Sequence, residues 1–283
     1  MKILTLNTHS LQEENYSWKL QKFAEYIIKE KPDIIAMQEV NQSQSAPLAN
    51  ETLLEGYVVC GQNKVSVRKD NHAAQAAKLL RDAGMDISWT WISGKVGYDK
   101  YDEGMALMSL NRKITNVDSF YISQCQDYQN WKTRKVLGIK TEQSQDWFFT
   151  VHMGWWDDAE EPFAAQWETF QRRLEEKRKE GRIWLLGDFN SPAEVEDQGY
   201  DQIRASGWKD TWLMAQKKDD GITVPGVIDG WRDKLKESSG NVQGMRIDHI
   251  WCSQEMPIME SQVVFNGKKE PVVSDHFGVM IIY

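Results

Sequence analysis

Two β-α-β patterns, each with polar side chains at the carboxyl ends of its strands, constrain this chain more than any other feature. In the first, Lys2–Thr8 alternates apolar and polar residues, and Trp18–Glu30 sets Leu20, Phe23, Ala24, Ile27 and Ile28 at helical spacing. Lys31-Pro32 stops that helix, and Asp33–Gln38 is a short apolar strand. The crossover makes the two strands parallel if they share a sheet. Asn7 and Glu39 then lie at the edge where open α/β sheets bind ligands. The second unit repeats the plan. Asp146–Met153 (DWFFTVHM) reads as a strand, Ala159–Lys179 as a helix and Arg182–Phe189 (RIWLLGDF) as a strand, with His152, Asp188 and Asn190 at the carboxyl ends.

Strand-like runs at Ile87–Ser93, Met105–Leu110, Ile114–Ile122 and Lys135–Thr141 lie between these units. Met245–Ser253, Ile258–Phe265 and Phe277–Tyr283 follow them. Short polar segments between consecutive runs predict antiparallel hairpins. Two parallel units among otherwise antiparallel strands predict an α/β fold, a four-layer α/β/β/α sandwich of two mixed sheets flanked by helices. No repeat, low-complexity tract or proline-rich linker interrupts the 283 residues, so residues 1–283 read as a single domain. Apolar residues at 41% and charged residues at 27% exclude wholesale disorder. Three cysteines (Cys60, Cys125, Cys252), odd in number and without a CxxC pair, argue against a disulfide framework or a cysteine zinc site. No stretch approaches the ~18 apolar residues of a membrane helix, and MKILTLNTHS is too short and polar for a signal peptide. A cytoplasmic location is expected, and nothing in the sequence sets an oligomeric state.

Four segments end an apolar strand with acid, amide or imidazole groups: Leu6-Asn7-Thr8, Met37-Gln38-Glu39, Leu186–Asn190 and Ser274-Asp275-His276. A fifth, Arg246–Ile250 (RIDHI), embeds Asp248 among isoleucines, where a carboxylate is unfavourable without a partner. Taken singly, Asn7 reads equally as a turn residue, Asp188 and Asn190 as a turn or helix cap, and His276 as a surface or core histidine. In this order the segments resemble the endonuclease/exonuclease/phosphatase superfamily over essentially the whole chain. The match is most specific in GDFN (187–190) and SDH (274–276), good in QE (38–39) and RIDHI (246–250), and looser in LNTHS (6–10).

The resemblance implies a deoxyribonuclease I-like sandwich and a divalent-metal-dependent phosphoesterase. Glu39 would carry the metal, with Asn7 and Asp275 beside it. Asp188 would orient and deprotonate the attacking water, Asn190 would contact the reacting phosphate, and Asp248 would pair with His276. The chemistry asks for these residue types. An anionic phosphoester needs a hard cation with oxygen ligands, which suits Mg2+, with Mn2+ as its substitute. An aspartate can accept the proton of an oriented water, while Asn190, His152 and His276 can donate to phosphoryl oxygens. Tyr101–Leu107 (YDEGMAL) resembles the family's acid-glycine strand and makes Glu103 a candidate, the alternative being an exposed hairpin acid. Of Arg134 and Lys135, adjacent on a strand and facing opposite ways, at most one reaches a phosphate, and Arg134 is the candidate. His9 is a candidate to support the site residues or to contact the substrate, whereas His72 and His249 read as structural.

The charge sum of −8 lacks the basic footprint of a protein that holds nucleic acid by charge. After His152, Asp157, Asp158, Glu160 and Glu161 place four carboxylates within five residues, a run expected to repel a polyanionic backbone. Trp155 and Trp156, among 13 tryptophans, offer flat faces for a sugar ring; core packing before an acidic helix start is the alternative. The WWDD–EEPF arrangement resembles the bacterial maltose 6′-phosphate phosphatases. The leading expectation is therefore a Mg2+-dependent phosphomonoesterase of a small phosphorylated carbohydrate, with nucleic acid and membrane partners disfavoured. A nuclease of the same fold is the rival enzyme, and a catalytically inactive binding module is the rival from another class. A lipid-headgroup phosphodiesterase would need a basic amphipathic anchor, which the chain lacks.

Overall fold

The computed structural model describes residues 1–226 and 244–283. The chain opens with β1 (Lys2–Asn7), α1 (Tyr16–Glu30) and β2 (Ile34–Ser43), then α2 (His72–Asp82), β3 (Ile87–Gly97) and β4 (Tyr101–Leu110). The middle runs through β5 (Ile114–Tyr121), β6 (Lys135–Thr141), β7 (Trp147–His152), α3 (Phe163–Glu180) and β8 (Ile183–Asp188). Short elements follow: α4 (Gly199–Ala205), the two-residue β9 (Lys209–Asp210), α5 (Thr211–Met214) and the two-residue β10 (Lys217–Lys218). The last strands are β11 (Asp248–Cys252), β12 (Glu260–Val264) and β13 (Gly278–Ile282).

Among the described residues these strands form two mixed sheets, ordered β10-β12-β13-β1-β2-β4-β3 and β5-β6-β7-β8-β11-β9. The crossovers through α1 and α3 make β1–β2 and β7–β8 parallel, and β3–β4 and β5–β6 are the expected antiparallel hairpins. Among the described residues strand alternation builds a core between the sheets and one on each outer face. Ile3, Ile34, Ala36 and Leu107 of the first sheet meet Phe148, Trp184, Leu186 and Ile250 of the second. On the outer faces Leu4, Leu6, Ile35 and Met37 pack under α1 and α2, and Phe149, Val151, Ile183 and Leu185 under α3 and α4. The expected four-layer sandwich is the observed fold.

Several boundaries moved for local reasons. The residue before a proline disfavours the helical region, so α3 starts after Pro162, at Phe163 rather than Ala159. The YDEG stretch is itself strand, so β4 begins at Tyr101 and Glu103 is buried instead of exposed on a hairpin. Helix α2 escaped the periodicity reading, although its signals are local. Asn71 caps it by accepting the Ala74 N–H at 3.1 Å, and Gly84 follows it at φ 82°.

His72 opens α2 inside the core, with Nδ1 3.2 Å from the Tyr16 hydroxyl and Nε2 buried without a hydrogen-bond partner among the described residues. Burial pushes its imidazole down from 6.5 to about 4. Between those values the unfolded chain binds a proton that the folded chain refuses, so the folded state loses stability as pH falls. His72→Gln is expected to remove about 3 kcal/mol of that acid sensitivity, read as the difference between urea midpoints at pH 7.5 and pH 4.5 in the variant and wild type.

Candidate active site

The face between the sheets turns from apolar to polar along every central strand. On β1 the order is Ile3, Thr5, Asn7; on β2 it is Ile34, Ala36, Gln38; on β7, Phe148, Thr150, His152; on β8, Trp184, Leu186, Asp188. Parallel pairing aligns these gradients, so the polar ends gather at one edge. Gln38 closes the transition by donating from Nε2 to Thr5 Oγ1 (3.1 Å) and, across the sheets, to Thr150 Oγ1 (2.7 Å). One step further out, Asn7 Nδ2 donates to Glu39 Oε1 at 3.0 Å and to Asp188 Oδ2 at 3.2 Å. Its Oδ1 accepts the His9 N–H at 3.2 Å, so the amide nitrogen faces both carboxylates.

Irregular backbone aims the acids. Strict alternation would send Glu39 toward α1, but β2 slips register against β4 between Met37 and Val40, and Glu39 sits at φ 50°. The bulge turns Gln38 and Glu39 to the inter-sheet side together. His9, Ser10 and Asn190 also have positive φ, at 46°, 42° and 46°. At Gly187 (φ 143°) a Cβ would stand 2.1 Å from the Val151 carbonyl oxygen and 2.9 Å from Gln38 Nε2, so only glycine lets β8 carry Asp188 this close to β7 and β2.

Asp188 is fully enclosed, its Oδ1 accepting the Asn190 N–H at 2.8 Å. His152 Nε2 and His276 Nε2 lie 3.7 and 3.9 Å from its Oδ2. Burial and then the neighbouring Asp248 charge push the Asp188 carboxyl up to about 7. His276 Nδ1 is 2.9 Å from Asp248 Oδ2. Burial opposes the His276 cation, but the Asp248 carboxylate, aided by Asp188, holds it well above 6.5. Burial and the charges of Arg134 and Lys95 keep His152 neutral, well below 6.5. The two histidines thus differ in charge, one a cation and one a neutral ring. Asn190 Nδ2 donates to the Met153 carbonyl at 3.0 Å.

Glu103, Lys95 and Arg134 lie near enough for their charges to act on Glu39 and His152, with Lys95 Nζ 3.1 Å from Glu103 Oε1. Arg134 is buried and donates from Nη1 to the carbonyls of Trp131 (2.6 Å) and Thr133 (3.2 Å). Burial pushes its guanidinium down from its ordinary range, while the Glu103, Asp188 and Glu39 charges favour the cation. Lys135 instead donates to Ser93 O at 3.2 Å. Lys95 and Glu13 were not foreseen. Glu13 Oε1 bonds His9 Nδ1 (2.8 Å) and the Asp275 N–H (3.1 Å), joining two predicted residues. His249 is structural as expected, buried on the outer face of β11 with Nδ1 3.1 Å from Arg246 Nη1.

The acidic run after His152 differs from its reading as a repulsive patch. Lys132 Nζ pairs with Asp158 (2.9 Å) and Glu160 (2.8 Å), while Glu161 turns inward to accept the N–H groups of Gln124 (3.0 Å) and Cys125 (2.6 Å). Asp158, Glu160 and Glu161 are thus spent on the protein itself. Trp155 and Trp156 are half-buried, packed against Val224, Met245 and Ile247.

A divalent cation suits one part of this arrangement. Glu39 Oε2 is buried with no hydrogen-bond partner among the described residues, and burial with the Glu103 and Asp275 charges raises the Glu39 carboxyl above its ordinary range. That is a carboxylate short of positive charge. The ligating atoms of His9, Glu13 and Asp275 also lie within 4.8 Å of one another, as do those of Asp188, Asp248 and His276. In the latter group the imidazolium already supplies the counter-charge, so the cation is better matched to Glu39 and Asp275.

The model of the Endonuclease/Exonuclease/phosphatase family matches residues 4–276. No curated protein sequence matches the chain. A solved structure of an endonuclease/exonuclease/phosphatase family protein from Leptotrichia buccalis C-1013-b is 31% identical with a TM-score of 0.84, covering 100% of this chain and 98% of that one. The mannosyl-6-phosphatase Bt3783 of Bacteroides thetaiotaomicron VPI-5482 is 17% identical (TM-score 0.67, coverage 100% and 98%). The 3′ phosphatase NExo from Neisseria, bound to a product DNA hairpin, is 19% identical (TM-score 0.62, coverage 100% and 99%). The last two share the fold.

Proposed function

Because the chain belongs to the endonuclease/exonuclease/phosphatase family, we propose that it hydrolyses the phosphomonoester of a small phosphorylated carbohydrate, with maltose 6′-phosphate as the first candidate. The observation that carries the reading is Asp188. It is a buried carboxyl poised near neutral pH, oriented by Asn7 and Asn190 and flanked by an imidazolium paired to Asp248. A water held there loses its proton to Asp188 as its oxygen attacks phosphorus; the bond from phosphorus to the sugar oxygen breaks, and that oxygen takes the electron pair and a proton from solvent to leave as the free hydroxyl. The protonated His276 and the remaining N–H of Asn190 offer donors to the phosphoryl oxygens, prepositioned out of bulk water. Glu39 and Asp275, with Asn7 beside them, would hold Mg2+ or Mn2+, which when bound neutralises phosphoryl charge. Substrate positioning and fixed charge supply the catalysis, with no covalent intermediate on the protein.

The net charge of −8 and the two tryptophans that follow His152 in the chain support a sugar over a nucleic acid, as does the sugar-phosphatase fold neighbour from Bacteroides. The neutralised acidic run and the DNA-bound neighbour from Neisseria favour keeping a nuclease as the second reading. Phosphate release from maltose 6′-phosphate, other hexose phosphates, nucleotides and inositol phosphates, with Mg2+ or chelator, against nicking of plasmid DNA, separates the two. Metal-dependent release from a sugar phosphate is expected, and plasmid cleavage without it would overturn the reading.

If the tryptophans grip the sugar, Trp155→Ala and Trp156→Ala should raise KM for the sugar phosphate by roughly 10-fold while sparing p-nitrophenyl phosphate. Equal losses on both substrates would assign them to packing on Met245 and Ile247.

A further inference from the structure

Period-two alternation puts Lys95 on the wrong face for catalysis. On β3, Trp89 and Trp91 face the helices and Ile92 faces the second sheet, so an unbroken strand would send Lys95 with the tryptophans. The pairing with β4 slips between Ser93 and Lys95, and Lys95 comes opposite Glu103 on the inter-sheet side. Bulges in β2 and β3 therefore flank the same stretch of β4, one re-aiming Glu39 and the other Lys95. Gly104 sits between them, where a Cβ would stand 1.8 Å from the Ile92 carbonyl oxygen.

Lys95 has three N–H donors, and two are taken by Glu103 Oε1 and the Trp131 carbonyl, each at 3.1 Å. The same Trp131 carbonyl accepts from Arg134 Nη1 at 2.6 Å, so one oxygen holds two cations together. Arg134 is 7% exposed, and its Nε is buried with no partner among the described residues. Two cations sharing one carbonyl, with one contacting carboxylate and unspent N–H groups, have unmet capacity for an anion. A phosphomonoester carries close to two negative charges at neutral pH, since its second pKa is about 6, whereas a diester carries one.

We propose that Lys95 joins Arg134 in a two-cation clamp for a terminal phosphate, and that Lys95 makes the site select phosphomonoesters over phosphodiesters. This rests on the phosphoester-hydrolase reading above and names the side chain that sets its substrate class. Both cations favour a dianion over a monoanion by Coulomb attraction, and neither need touch the rest of the substrate.

The test compares kcat/KM for p-nitrophenyl phosphate and bis(p-nitrophenyl) phosphate in wild type and Lys95→Met, with calorimetric binding of inorganic phosphate as a readout independent of turnover. The monoester-to-diester ratio is expected to fall roughly 10- to 100-fold, and phosphate affinity about 10-fold or more. Lys95→Met leaves Glu103 without its cation, so the double variant Lys95→Met/Glu103→Gln is read alongside and replaces the single one if that fails to fold. An unchanged ratio and unchanged phosphate affinity in a folded variant, with wild-type monoesterase intact, overturns the assignment alone. A wild type that cleaves only diesters overturns it together with the proposed function.

Discussion

Asp188→Asn is expected to lower kcat by roughly 10²- to 10⁴-fold with KM little changed, the range for removing a positioned general base. The amide keeps an oxygen for the Asn190 N–H and the volume of the carboxyl, so the fold should persist. The sign of the pH dependence follows from the carboxyl's position. Burial and Asp248 raise Asp188 to about 7, and only its deprotonated form can take a proton from water. Activity should therefore rise with pH through that region, and the limb should vanish in the variant. A bound cation favours the carboxylate and would move the limb to lower pH. In the metal-free protein the raised value also means that ionising Asp188 weakens the folded state as pH climbs from 3.8 toward 7. Asp188→Asn should then unfold at a temperature no lower than wild type at pH 8. Rapid-quench or steady-state rates across pH 5–9, with thermal melts, check both statements. Wild-type turnover in the variant would remove Asp188 from the mechanism.

Glu39→Gln is expected to separate function from stability. Its carboxyl is raised by burial and by Glu103 and Asp275, and its Oε2 has no partner among the described residues. A neutral amide relieves that repulsion, so the metal-free variant should melt above wild type by about 2–4 °C, corresponding to roughly 1 kcal/mol. Affinity for Mn2+ or Mg2+ should drop by roughly 100-fold, at or beyond the 10- to 100-fold loss that follows removal of an outer partner of a metal ligand. Calorimetric titration of the metal and melts in chelator measure the two effects independently. An unchanged metal titration would refute the ligand role.

Much of the molecule was legible from local patterns. Alternation in Lys2–Thr8, the strand-like run Asp146–Met153 and the helical segments that follow each carried both crossovers and hence the parallel pairs, because these signals are local to the chain. The stop at Lys31-Pro32 is where α1 ends, with Lys31 in the left-handed region and its N–H on the Ile27 carbonyl at 2.8 Å. Strand-end polarity brought Asn7, Glu39, His152, Asp188 and His276 forward, and burial among isoleucines brought Asp248, because both are local information; their order along the chain, read as a family resemblance, gave them roles.

Other features depended on which strands become neighbours. The bulges that turn Glu39 and Lys95 inward are slips between β2, β4 and β3, and register is a property of a pair. The pairing of Lys132 with Asp158 and Glu160 joins residues 26 and 28 positions apart, so the acidic run looked repulsive until its cation arrived. The division between a charged His276 and a neutral His152 depends on Asp248 lying beside one ring and on Arg134 and Lys95 facing the other. Sequence by itself determined which chemical groups stand at the strand ends, because that follows from periodicity along one chain. Tertiary structure decided their aim, their charge and their partners, because Coulomb forces and burial act through space between segments distant in the chain.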